Sequence, residues 1–261
     1  VGAQGPRDLE STLDGKIALI TGGESGIGLA AATLFVAEGA RVHLVGLDEV
    51  KLKEAADRLG PENALASVAD VADESAVSAA VSAGVPHYGH YDVVFSNAGN
   101  SGEIAEIPDY PSEVFARTLN IHVLGAFHVL KHAVPHMRDG GSVLITSSVV
   151  GLIGFPGLPA YVAAKHGQVG LMRAAAKELA PRRIRVNTLH PGPTSTAFQD
   201  DIEIRATGKD QAAAAREFDA LIPLGRHTTT GEIARAALYL ASDASAMVTA
   251  TTFAIDGGMS G

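Results

Sequence analysis

Residues 17–28 read IALITGGESGIG: five apolar or β-branched residues, then a turn with Gly22, Gly26 and Gly28 in the spacing G-x3-G-x-G. The alanine-rich LAAATLFVAEG follows at 29–39. The first run has the length and composition of a buried strand, and the last that of a helix. Glycines in such a turn let backbone approach a ligand closely, and the helix behind them points free N–H groups at an anion such as a pyrophosphate. Ser25 and Ile27 fall in the same cradle. A glycine-rich turn also arises for conformational reasons alone, so its meaning depends on its surroundings.

Outward from this stretch, short β-branched runs alternate with longer helical segments. Strands are predicted at 17–21, 42–45, 64–68, 92–96, 142–148, 184–189 and 251–255, and helices at 27–38, 49–59, 73–83, 112–137, 160–179 and 231–241. Strand alternating with helix gives a parallel sheet with right-handed crossovers and helices on both faces. The fold expected is therefore α/β, a single-domain doubly wound parallel sheet (Rossmann fold) of about seven strands. No linker, repeat or low-complexity tract divides the chain, so residues 13–261 are read as one domain, and 1–12 are set aside as a trimmed or disordered N-terminal segment. Residues 191–228 form the one long irregular region, expected to be a substrate loop.

Composition narrows the chemistry. The 261 residues include no Cys, which excludes thiolate nucleophiles, thiolate zinc sites and redox switching. With 20 Lys and Arg against 29 Asp and Glu, the net charge is −9 and no basic stripe stands out, so no nucleic-acid partner is expected. No apolar run is long enough to span a membrane, and a cytoplasmic protein is expected.

Tyr161 and Lys165 lie four apart in YVAAK and so project from one helix face, and Ser148 ends the fifth predicted strand. A tyrosine ordinarily holds its proton to about pH 10, and a cation beside it favours the phenolate and makes it usable as a general acid/base. Ser148 is placed to hydrogen-bond an oxygen on which charge develops.

Together TGGESGIG, SNAG at 96–99, Asn120, Ser148, YVAAK, Pro191–Gly192 and IDGG at 255–258 resemble the short-chain dehydrogenase/reductase family, in its branch with the TGxxxGxG turn. The resemblance implies an NAD(P)-dependent oxidoreductase acting on CH–OH groups, with a small alcohol or carbonyl as substrate and a homotetramer as assembly. It makes Tyr161 the acid/base, has Lys165 lower its pKa and bind the nicotinamide ribose, lets Ser148 position the substrate oxygen, and has Asn120 support a relay water. It also places Asn97, Ala98 and Gly99 beside the adenine ribose, Asp70 and Val71 against adenine, and Pro191, Gly192, Thr194 and Thr196 against the carboxamide. Competing readings are a dinucleotide-binding regulator without turnover and an epimerase or dehydratase with tightly held NAD.

The resemblance breaks at the second strand, which ends VHLVGLDEV. Relatives that use NAD usually carry a carboxylate at the position of Gly46, and those that use NADP a cation at Leu47 or Ser25; neither is present. Asp48 disfavours a 2′-phosphate and favours NAD over NADP, with Lys51 arguing the other way. His128, His132 and His136 share a helical stripe, but Pro135 disturbs its last turn, and no metal site is expected. Val149, Val150, Leu152, Ile153, Phe155, Pro156 and Leu158, with Phe198, Ile202, Ile204, Phe218, Leu221 and Ile222 later, suggest a neutral, largely apolar substrate. Arg205 is the nearest contrary residue.

Overall fold

The computed structural model describes residues 12–261. The expectation for residues 1–12 lies outside the described residues except at Thr12, whose N–H donates to Glu38 at 2.9 Å. In chain order the elements are β1 (Ile17–Thr21), α1 (Gly26–Ala37), β2 (Arg41–Gly46), α2 (Glu49–Leu59), β3 (Ala64–Val68), α3 (Glu74–Tyr88) and β4 (Tyr91–Ser96). There follow α4 (Ser112–Leu119), α5 (Gly125–Ala133), β5 (Met137–Thr146), α6 (Pro159–Glu178), β6 (Arg185–Pro191), α7 (Ala197–Thr207), α8 (Gln211–Asp219), α9 (Thr230–Ala241) and β7 (Thr252–Ile255). All seven strands are parallel, in the order β3-β2-β1-β4-β5-β6-β7. The order reverses between β1 and β4, and in doubly wound sheets that switch point opens the ligand crevice.

Side-chain alternation explains why both faces are covered. Ile17 and Leu19 of β1, with Val143 and Ile145 of β5, pack against α3, α5 and α6. Ala18, Ile20 and Leu144 pack the other way, against α1 and α9, where Ala31, Ala32 and Phe35 meet Ala234, Ala237 and Leu240. A strand buried on both faces reads as a continuous apolar run, which is how β1 announces itself.

Two segments differ from the sequence expectation. The helix expected over 112–137 is broken: α4 passes through a π-helical turn, Asn120–Leu124, into α5, and Val134–His136 closes as a 3-10 turn around Pro135. The π-turn frees a carbonyl, and Gln168 Nε2 from α6 donates to that of His122 at 3.0 Å. The region 191–228, expected to be irregular, contains α7 and α8. Their caps were in the sequence: the Thr196 side chain accepts from Gln199 N at 3.2 Å, and that of Asp210 from Ala213 N at 3.0 Å.

Two histidines of the stripe, His128 and His132, face one carboxylate, with His128 Nε2 4.0 Å from Glu74. His128 Nδ1 lies 3.0 Å from Val71 O, and His132 Nε2 3.2 Å from Glu74. Among the described residues no group of three or more His, Asp or Glu converges as a metal site would. None of their helices is long and apolar enough to cross a membrane.

Candidate active site

The crevice at the switch point is a cavity of about 370 Å³. One wall is the glycine-rich turn. Gly22 and Gly26 have φ of 65° and 52°, and a Cβ added at Gly28 would run into the Gly22 carbonyl, so three of the turn's glycines are required by backbone geometry. Ser25 precedes α1 without a side-chain cap, which leaves the first N–H groups of the helix for a ligand. Asn97 fastens the floor: its N–H donates to Thr21 Oγ1 at 2.9 Å, its Nδ2 to Thr21 O at 3.2 Å, and its Oδ1 accepts from Thr146 Oγ1 at 2.9 Å. Ile27, Asp70, Val71, Ala98, Gly99, Pro191, Gly192, Thr194 and Thr196 all line the same cavity.

Ser148, Tyr161 and Lys165 come together opposite this wall. Ser148 follows β5 and caps a 3-10 turn, its Oγ accepting from Val150 N at 3.3 Å. Pro159 starts α6, so Tyr161 lies in its first turn and Lys165 one turn later, both buried. Lys165 Nζ donates to Thr146 O at 2.7 Å and sits 5.2 Å from the Tyr161 ring centre. Burial pushes the Tyr161 phenol above its usual value, opposed in part by a hydrogen bond with Ser148. Burial also pushes the Lys165 ammonium down to about 7. The sequence reading had the cation pull the phenol down; in the structure, desolvation of both groups is the larger effect.

Asn120 is not brought to the cavity: its side chain is exposed and lines none of the cleft. The buried stripe of this region runs through Thr118, His122, Gly125, Ala126, Val129 and Ala133, at helical spacing. His122 therefore takes the inward place, and Asn120, two residues back, points elsewhere. His122 is 1% exposed, its Nε2 lies 2.8 Å from Asn100 O, and its ring meets Tyr161 edge-on at 5.3 Å. Burial first, then the nearby Lys165, hold its pKa well below the usual histidine value. Continuing the 118-122-126-129 periodicity back from α5 was the signal that could have found it.

Two further residues were not singled out from sequence. His190, on β6, lies 2.7 Å from Ser148 O through Nδ1 and so holds the backbone of Ser148; burial keeps it neutral, with a pKa of about 4. Glu24, in the glycine-rich turn, lines the cavity beside Gly46 and Leu47.

Beyond Ser148 and Tyr161 the cleft continues into an apolar recess formed by Val149, Val150, Phe155, Leu158, Ile202 and Phe218. Phe155 and Phe218 stack with ring centres 6.0 Å apart. Ile204 and Leu221 are instead 40% and 49% exposed and line neither cavity. Arg205 points away: Nη2 is 2.7 Å from Asp201 and 2.6 Å from Ser101 Oγ, so its charge is held outside the recess.

Residues 22–260 match the family model described as enoyl-(acyl carrier protein) reductase. The chain is 40% identical over 253 residues to short-chain dehydrogenase reductase 3a of Arabidopsis thaliana, covering 95% of this chain and 96% of that protein. Among solved structures it is similar to levodione reductase, with a TM-score of 0.91 at 36% identity over 95% of this chain and 98% of the other. It is similar too to a carveol dehydrogenase from Mycobacterium avium in complex with NAD, with a TM-score of 0.89 at 30% identity over 95% and 99%. Motif order, sheet topology, the converging Ser148, Tyr161 and Lys165, and these likenesses agree: the chain belongs to the short-chain dehydrogenase/reductase family of oxidoreductases.

Proposed function

We propose that the protein interconverts a secondary alcohol and its ketone on a small, neutral, largely apolar substrate, with NAD preferred to NADP. The observation that carries this reading is the apolar recess opening directly onto Ser148 and Tyr161, with Arg205 paired outside it. Relatives named for carveol and levodione support the same CH–OH chemistry.

The residues present fit a dinucleotide. The crowded Gly28, the positive φ of Gly22 and Gly26, and the uncapped start of α1 make a cradle for a pyrophosphate; Asp70 and Val71 would flank adenine. Lys165 would hold the nicotinamide ribose, and Pro191, Gly192, Thr194 and Thr196 the carboxamide. When bound, the nicotinamide supplies the hydride acceptor or donor. In the oxidative direction Tyr161 phenolate takes the hydroxyl proton, Ser148 Oγ–H donates to the same substrate oxygen, and Lys165 compensates the phenolate charge. In reduction Tyr161 returns that proton to the developing alkoxide. The place the resemblance gave to Asn120 passes to His122 on this reading. Homotetramer assembly and a cytoplasmic location complete it, and the exposed Leu124 and Phe127 give the π-turn and α5 an apolar outer face to pair.

The test is turnover of a panel of secondary alcohols and ketones with NAD(H) and NADP(H), read by nicotinamide absorbance, in the wild type and Tyr161→Phe. The variant keeps the ring and loses the exchangeable proton, so a fall of roughly 10²–10⁴ in rate at near-constant cofactor affinity is expected. No turnover by the wild type with any pair would favour a dinucleotide-binding regulator instead.

A further inference from the structure

The end of β2 is where a doubly wound sheet that holds a pyrophosphate on its first turn meets the adenosine ribose, and a carboxylate there accepts the 2′-hydroxyl of NAD. Gly46, which ends this strand, and Leu47 after it supply none. The structure does bring a carboxylate to this place, from the turn. Glu24 lies across the strand end, with Oε1 accepting the Leu47 N–H at 3.2 Å. Its Oε2 is buried and has no hydrogen-bond partner among the described residues. A Cβ built on Gly46 would run into this carboxylate, so Glu24 fills the volume that a side chain at 46 would need. The backbone of Gly46 is not at positive φ, so the glycine is required by Glu24 and not by conformation.

We propose that Glu24 is the specificity-determining residue for the cofactor, accepting the adenosine 2′-hydroxyl and excluding a 2′-phosphate, a role that rests on the NAD-dependent reading above. A buried carboxylate oxygen without a donor is an unmet demand, and a ribose hydroxyl supplies one donor where a phosphate dianion supplies none. The neighbouring charges reinforce this. Asp48 caps α2, with Oδ1 accepting Lys51 N at 3.1 Å, and its Oδ2 lies 3.0 Å from Lys51 Nζ. Lys51 is thus shared with Asp48, and Glu24 leaves the corner net negative.

Binding to the full chain is measured by calorimetry with two probe pairs that differ only by the phosphate, NAD against NADP and 5′-ADP against 2′,5′-ADP. The wild type is expected to favour the first of each pair by tenfold or more. Glu24→Gln should cut that ratio roughly tenfold to a hundredfold, the worth of a charge-assisted hydrogen bond. Glu24→Ala should do the same, and adding Gly46→Asp to Glu24→Ala should restore the ratio, because the carboxylate then enters the vacated volume from β2. An unchanged ratio in a folded Glu24→Gln or Glu24→Ala protein, or a ratio lost in Asp48→Asn instead, overturns the role of Glu24 and leaves NAD use intact. A wild type that prefers the phosphorylated probes, or binds none, overturns the NAD reading and this role together.

Discussion

The glycine-rich corner and the α7–α8 segment are opposite walls of one cleft, built in opposite ways. The corner is shaped by what is missing: no side chain at Gly22, Gly26 or Gly28, and backbone pressed against backbone. The far wall is shaped by what is added, namely Phe218 and Ile202 on two short helices. One charged cluster holds those helices: buried Glu203 accepts from Gln199 Nε2 at 2.9 Å and lies 2.6 Å from His227 Nε2, while His227 Nδ1 is 2.7 Å from Asp219. A wall made by exclusion tolerates no insertion, whereas a wall held by ionisable groups answers to pH.

The largest effect should come from breaking the first wall. In Gly28→Ala the added carbon meets the Gly22 carbonyl, a backbone atom that cannot swing aside. Overpacking of this kind costs roughly 1–3 kcal/mol or more. Dinucleotide affinity by calorimetry should fall by about two orders of magnitude, with a lower thermal midpoint.

Between the walls sits Lys165, buried with its pKa pushed from 10.5 to about 7. Between those values the unfolded chain binds the extra proton, so this group makes stability rise with pH and is a liability below pH 7. That liability is at most about 4–5 kcal/mol. Lys165→Met removes it but orphans the Thr146 carbonyl, returning about 1–3 kcal/mol. The net expectation is a variant without turnover that is about 2 kcal/mol more stable than wild type at pH 6, loses that gain by about pH 8.5–9 and is about 2 kcal/mol less stable near pH 10.5, read by denaturant titration across pH.

On the second wall, burial alone would lower the pKa of His227, but the Asp219 and Glu203 carboxylates outweigh it and raise the value above that of ordinary histidine. Its stabilisation is therefore complete below about pH 6.5 and lost as pH rises through the raised value. His227→Gln should mimic high pH: substrate KM up several-fold, about 1 kcal/mol, faster hydrogen exchange over α7 and α8, and dinucleotide affinity unchanged. The smallest effect expected is from Phe218→Leu, which loosens the stack on Phe155 and should raise KM for an apolar substrate about twofold to threefold. A change in dinucleotide affinity in either variant would show that the walls are not independent.

How each wall reads in sequence follows from its construction. Backbone demands write themselves as glycines in fixed spacing, and the strands of a doubly covered sheet as apolar runs, so β1 and α2 match expectation end to end. Ser148, Tyr161 and Lys165 lie on two adjacent elements, and their spacing sufficed. Asn120 lines no part of the cavity, and the π-turn that begins at it is bonded from α6 by Gln168, a contact across 46 residues that no local pattern carries. The α7–α8 wall is legible as a substrate segment but not as helices, since its buried set, Ile202, Glu203, Ala214 and Phe218, is sparse and includes a carboxylate. Glu24 was hidden because its meaning depends on Gly46, a strand away.

Asn97 bonds Thr21 on one side and Thr146 on the other, stitching the ends of β1, β4 and β5 at the point where the strands part. The crevice consequently works as a vice with one fixed jaw. Widening at the sheet would break that stitch, so on the proposed function opening for substrate and product is expected of the wall formed by α7 and α8. The slowest step of the cycle is then expected to follow how fast that wall swings, and to slow with solvent viscosity before it responds to the electronic character of the substrate.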